Sequence, residues 1–466
     1  MEQNNNTWKP DTYKPVPNEK WEYTNAQKIL LAVTGLMGVV FATLLIGSTY
    51  DLQTFAVPYA IFWTVYLVGY YFVVPKARTN KAGYLLVISI ALLLIRYAVY
   101  QESTLGLINY FAIPLLLMLH AVTCSFQPAP KCDGEYALQF FAGFFVKPFS
   151  GIPRFFGALA ALFHKKEGSK RSGVAVGLLI GLPLAALVFA LLAEADSVLY
   201  HYTQKFFAGW SLADVFWRTT AGLVVAFLFY SFLFTTAWGK VSSRTVPYAK
   251  KIEPATLHTV IVLLLAVYAV FGYVQFFYLT GLKGLPAELT YSEYAVRGFN
   301  ELLIVALINL GLYALTLRFE KEHKLKRTFL LLLLVSTMLI LYSGAARLVL
   351  YIKAYALTMS RILPFWFILF LVVATLLCVV RLYAGKLQLI RAVTVAFIAM
   401  YIALNFLNLD AMIAKSVLQR AEIRGELNVG DADYLRYMLS SDAEPILKAS
   451  KFKYDIYYDV LPEDLG

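Results

Sequence analysis

Residues 328–345 read TFLLLLLVSTMLILYSGA, eighteen positions without one charged side chain, and they stand directly after Lys324, Lys326 and Arg327. A helix of this length covers about 27 Å at 1.5 Å per residue, close to the ~30 Å hydrocarbon thickness of a bilayer. A peptide segment inside hydrocarbon must satisfy its own N–H and C=O groups, which a helix does within itself. The stretch therefore reads as a transmembrane helix with a cationic flank. Similar apolar blocks recur at 29–48, 55–74, 82–100, 104–126, 173–193, 216–238, 256–280, 301–317, 362–380 and 391–407. The chain is 60% hydrophobic and only 15% charged, far from the balance of a water-soluble domain. The fold class that follows is an all-α polytopic membrane helix bundle of about eleven transmembrane helices, spanning 29–407.

Positive charge between the blocks sets the direction. With the N-terminus in the cytoplasm, 22 basic residues fall in inside loops, among them Lys76, Lys165, Lys166, Lys250, Lys251, Lys386 and Arg391, against seven outside. Basic loops stay on the cytoplasmic side. The expected placement is a multi-pass protein of the cell membrane with a cytoplasmic N-terminus and an extracytoplasmic C-terminus. The net charge of +12 then belongs to loops facing anionic headgroups, and a nucleic-acid surface is not implied. The bilayer is the partner the sequence does imply. Residues 1–28 are polar and proline-containing, so they read as a disordered tail; a cleavable leader is not expected.

Two connecting segments are more than loops. In 134–163, Phe140, Phe141, Phe144 and Phe145 share a helical face before Pro148, Gly151 and Pro153 interrupt it. Two interfacial helices are expected there, with a re-entrant hairpin as the alternative. Near 197–214, Tyr200, Tyr202, Phe206, Phe207 and Trp210 suit the headgroup layer. Residues 408–466 hold eleven acidic and seven basic residues and read as a small extracytoplasmic helical appendage. There Asp431 is a candidate cap, and Ser441 with Glu444 matches a capping box. The appendage is too small to fold on its own core, so it should dock on the membrane domain.

Ionisable side chains at span edges mark candidate chemistry, because charge in hydrocarbon needs a partner or water. They are Arg96, Glu194, Asp196, Arg218, Arg297, Glu301, Arg347 and Asp410, with Tyr294 on the face shared by Arg297 and Glu301. All fall on the outer side of the expected topology. They would form an outward-facing polar site for a solute, ion or lipid headgroup. The plainer reading is a set of salt bridges that pin helix ends, Glu301 meeting Arg96 or Arg347. His120 reads as a helix-end histidine. No phosphate-binding glycine loop, nucleophile elbow or HExxH motif is present, and the three cysteines form no framework, so no cofactor or metal is expected.

Three stretches carry a resemblance. Tyr294 to Leu302 running into Ala306 to Asn309, Leu192 to Asp196, and Asn408 to Asp410 with Asp433 to Leu435 and Leu439 to Pro445 look like a bacterial multi-span membrane family. It is catalogued as a domain of unknown function in the 4153/4173 group. The resemblance covers about residues 30–450 and implies a polytopic membrane protein without an assigned activity. Three functions stay open: a transporter or permease-like protein; a membrane enzyme acting on a lipid-linked or envelope substrate at the outer leaflet; and a non-catalytic sensor or assembly factor. The first would take a small solute; the second would use Asp51, Glu194, Asp196 or Glu301 as base or metal ligand.

Overall fold

The structure is a computed structural model, described over residues 23–46, 52–74, 81–125, 133–163, 212–238, 252–279, 299–319 and 324–457 and the single positions 188 and 192. Every regular element there is helical. In chain order the helices are α1 Asn25–Val40, α2 Leu52–Val73, α3 Lys81–Val99, α4 Ser103–Ser125, α5 Asp133–Phe145, α6 Lys147–Ser150, α7 Ile152–Phe163 and α8 Leu212–Trp238. They continue as α9 Pro254–Leu279, α10 Phe299–Phe319, α11 Lys326–Tyr355, α12 Met359–Tyr383, α13 Leu389–Asn405, α14 Leu409–Arg424, α15 Val429–Asp433, α16 Glu444–Ala449 and α17 Lys453–Tyr457. Among the described residues, eight helices are long and apolar enough to cross a membrane, or up to nine if α13 and α14, bent by 61° at their junction, form one span. The sequence count of about eleven is not confirmed by these eight or nine, which are counted among the described residues alone. The apolar part of α3, Gly83–Val99, is shorter than a full span. The block at 173–193 and the aromatic segment at 197–214 lie outside the described residues, apart from positions 188 and 192 and the start of α8 at 212–214.

The chain divides into two compact units. The first contains α1, residues 65–74, α7 and α8. Gly38 of α1 and Gly222 of α8 meet backbone to backbone, and a Cβ on either would overlap the other's carbonyl oxygen. Without a hydrophobic driving force in lipid, such close approach is what gains dispersion energy between helices. Gly35 has open space around it, so only one of these two α1 glycines serves packing. Thr24 caps α1 in a capping box with Gln27. The Gly151 amide donates to Ser231 Oγ at 2.8 Å, which holds the start of α7 against α8.

The second unit contains residues 44–64, 75–147 and 236–466. Here α11 packs on α9, α10 and α12, while α13 packs on α3, α5 and α12. Polar contacts cross the apolar seams. The Tyr268 hydroxyl donates to Asn309 at 2.7 Å, Asn309 donates to Thr337 at 3.1 Å, and Tyr313 donates to the Cys378 carbonyl at 2.8 Å. The segment 134–163 is helical, α5 belonging to this unit and α7 to the first, with α6 between them in sequence.

The C-terminal helices α14 to α17 share a core of Ile413, Ala414, Val417, Leu418, Ala421, Leu435, Leu447, Phe452 and Ile456. Ala356, between α11 and α12, is buried in the same core, and Leu357, Met359 and Ile362 pack on it. Ala356 has φ +61°, a region that β-carbon residues avoid. Arg361 holds the turn by donating from Nη1 to the carbonyls of Tyr355 and Ala356, and Ser416 Oγ accepts from the Leu357 amide at 3.0 Å. Two capping expectations are corrected. Asn428, not Asp431, caps α15. Ser440, not Ser441, caps the short 3₁₀ turn Ser441–Ala443, because Ser441 is hydrogen-bonded to Gln101 and Glu444 pairs with Lys448.

Candidate functional site

Where α3 ends and α4 begins, the chain turns through Tyr100, Gln101 and Glu102. Arg96, in the last turn of α3, is fully buried, and its guanidinium meets Glu102 at 2.7 Å. The same guanidinium nitrogen donates to the Glu102 carbonyl at 3.1 Å. Glu102 also caps α4: its carboxylate accepts from the amides of Thr104 and Leu105. An acid at a helix N-terminus answers both the unpaired amides and the helix dipole. The buried cation and the buried acid are therefore each other's condition, since either alone would carry a large desolvation cost.

The C-terminal segment joins this pair. One oxygen of Asp442 accepts from the backbone amides of Gln101 at 2.7 Å and Glu102 at 3.1 Å. Ser440 Oγ accepts from the Asp442 amide, while the Ser440 amide and hydroxyl both donate to Asp410. Asn408, which caps α14, donates to the Asp442 carbonyl at 3.1 Å. A continuous run of hydrogen bonds thus links Arg96 to Asp410 through Glu102, Asp442 and Ser440. Deeper in the bundle, Asn109 of α4 donates to Asn405 of α13 at 2.7 Å and accepts from Tyr401 at 2.6 Å. Beside the network, Tyr59 stacks on Tyr110 and donates to its carbonyl, and Tyr97 donates to the Gly106 carbonyl.

A hollow of about 160 Å³ opens beside Arg96, Tyr97, Tyr100, Gln101, Glu102 and Asp442. Small-molecule sites usually enclose about 300–1,000 Å³, so this one suits a few waters. Among the described residues, no three His, Cys, Asp or Glu side chains converge to hold a metal ion.

Of the nine candidates from sequence, Arg96 and Asp410 come together. Arg347 is buried on α11, and Glu301 is exposed in the first turn of α10. Arg96 pairs with Glu102 rather than Glu301. Arg218 is half-buried in α8, within the first unit. Glu194, Asp196, Tyr294 and Arg297 lie outside the described residues, as does Asp51. His120 is buried in α4, with its ring near Gly83 at the start of α3. Glu102 and Asp442 were missed as site residues. Glu102 carried a usable signal: an acid just ahead of an apolar helix and six residues after an intramembrane arginine.

A family model described as a domain of unknown function, DUF4153, matches residues 87–449. No curated protein and no solved structure matches the chain.

Proposed function

Since the chain belongs to the DUF4153 family, whose description assigns no activity, we propose from its own side chains that it is a non-catalytic polytopic membrane protein. In this reading its C-terminal helical segment is a rigid platform for a protein partner. The observation that carries it is the closed hydrogen-bond run from Arg96 to Asp410. A transport site needs charges that exchange partners with a solute, and a catalytic acid needs a lone pair open to substrate. Here Glu102, Asp410 and Asp442 each accept from at least two donors, and those donors are mostly backbone amides that cannot move away. The bonds are spent on fixing α14 to α17 against the α3–α4 turn.

What that platform offers is apolar. Ile423, Val429, Tyr437 and Met438 are 88%, 74%, 67% and 71% exposed, although the core of the same segment is already filled without them. Exposed aromatic and aliphatic side chains on a rigid support are the usual anchors of a protein interface. The excess of basic residues in the expected cytoplasmic loops supports an extracytoplasmic position for this face.

Photo-crosslinkers placed at Tyr437 and Ile423 of the full chain, in intact cells, test the reading. Discrete protein adducts are expected from both positions, and none from Val395 on α13. Adducts to lipid alone at Tyr437 and Ile423 would overturn it.

A further inference from the structure

The turn that joins α11 to α12 runs from Ala356 to Thr358. Ala356 has φ +61° and ψ 180°, a combination ordinarily left to glycine, because a β-carbon crowds the backbone there. The position nevertheless holds an alanine, buried in the core of the C-terminal helices. Strain of this kind persists only where the surroundings enforce it. Two sets of contacts do so. From α12, Arg361 reaches back to the carbonyls of Tyr355 and Ala356, with its guanidinium over the Tyr351 ring at 4.2 Å. From α14, Ser416 Oγ accepts from the Leu357 amide, and Arg420 lies over the Tyr355 ring at 5.6 Å. Ile413, Ala414 and Val417 of α14 belong to the core that encloses Ala356.

We propose that this turn is a conformational latch between the C-terminal segment and the long helices: docked α14 holds Ala356 in its strained conformation, and departure of α14 lets the turn relax. Docking must overcome the strain in the turn, so the two are linked in both directions. Relieving the strain tightens docking, and loosening α14 frees the turn. Ala356 directly follows α11 and stands three residues before α12, and α11 packs on α9, α10 and α12. A change at the turn is therefore delivered to the ends of two long helices. This regulation rests on the platform reading in one respect: Ile423, exposed on α14, is where a bound partner would bias the latch.

Hydrogen exchange of the full chain in detergent provides the test. It is read over α14 and at the Arg361 and Ile362 amides, which bond to the Thr358 carbonyl and not to α14. Val417→Ala, which thins the core under α14, should speed exchange at both places by a similar factor, about ten-fold. Ala356→Gly should slow exchange in α14 by about two- to five-fold, the relief of strain less the lost methyl contact and the greater freedom of glycine. Glycine ordinarily weakens a helix, so Ala354→Gly, at an exposed position in the last turn of α11, should not slow it. Unchanged or faster exchange of α14 in Ala356→Gly would overturn the latch. So would a Val417→Ala variant in which α14 loosens while Arg361 and Ile362 stay protected, because Arg361 would then hold the turn alone. If Val417→Ala does not fold, the milder Val417→Thr must still speed exchange at both places. Lipid-only adducts at Tyr437 and Ile423 would remove the platform and leave the latch, whereas an unlinked turn would remove the latch and leave the platform.

Discussion

The two ends of α13 use charge in opposite ways. Near Asn405, the acids Glu102, Asp410 and Asp442 are closed by donors fixed in the backbone, and Arg96 is buried against Glu102. Near Leu389, Lys386 and Arg391 stand beside an open groove whose described lining includes Val373, Leu377, Ala392, Ala396 and Ala399. Charge closed upon itself in low dielectric fixes shape, because moving any member strands another. One end of the helix is therefore fixed by buried, mutually paired charge, and the other is bordered by basic side chains beside an open groove.

The contrast breaks most visibly at Arg96. Arg96→Met should cost about 3–5 kcal/mol, because Glu102 would stay buried without its cation. Thermal unfolding of the full chain in detergent reads this. The double variant Arg96→Met/Glu102→Leu should recover part of the loss, and wild-type stability in the single variant would mean the pair is not closed. Next comes Asp442→Ala, which leaves two turn amides without their acceptor and should cost about 1–3 kcal/mol. Hydrogen exchange should quicken over residues 441–457 and at Gln101 and Glu102, with α9 to α12 unchanged. Exchange rising equally throughout the bundle would instead make the run from Arg96 to Asp410 part of the global fold. Asn109→Leu should have a smaller effect, about 1 kcal/mol, since hydrogen bonds between membrane helices are worth ~0.6 kcal/mol each. It loses the Asn405 and Tyr401 bonds.

The helices were legible because each apolar block must form one to hide its backbone, and α11 needs no more than that. Arg96 and Asp410 were legible as charges with nowhere to go in hydrocarbon. Their partners were not, because partner choice depends on where a turn folds back, and Glu102 is close in sequence while Asp442 is 340 residues away from it. Ser441–Glu444 fits a capping pattern, yet a tertiary bond from Ser441 to Gln101 and the i,i+4 pairing of Glu444 with Lys448 outcompeted it. The groove was invisible for another reason. Alanines at helical spacing mean close packing as readily as an open trough, and only the path of α12 decides between them.

The smallest effect lies on the C-terminal segment and sharpens the same contrast from outside. Lys448 and Glu444 are paired across one helical turn of α16 at 2.5 Å, in the favourable order with the acid first. The hydrogen bond from Lys448 to Glu444, and then the acid's charge, raise the lysine above its ordinary value, although its side chain is fully exposed. A raised lysine keeps its proton longer in the folded state. Its stabilisation is thus fully present below the ordinary lysine value and disappears as pH rises through the raised one. Solvent and salt screen such a pair strongly. Lys448→Met should therefore speed hydrogen exchange in residues 444–449 only slightly at neutral pH. The difference from wild type should shrink with added salt and vanish in strong alkali. A difference that grew with pH would mean that the Lys448 stem, packed on its neighbours, acts through contact and not through charge.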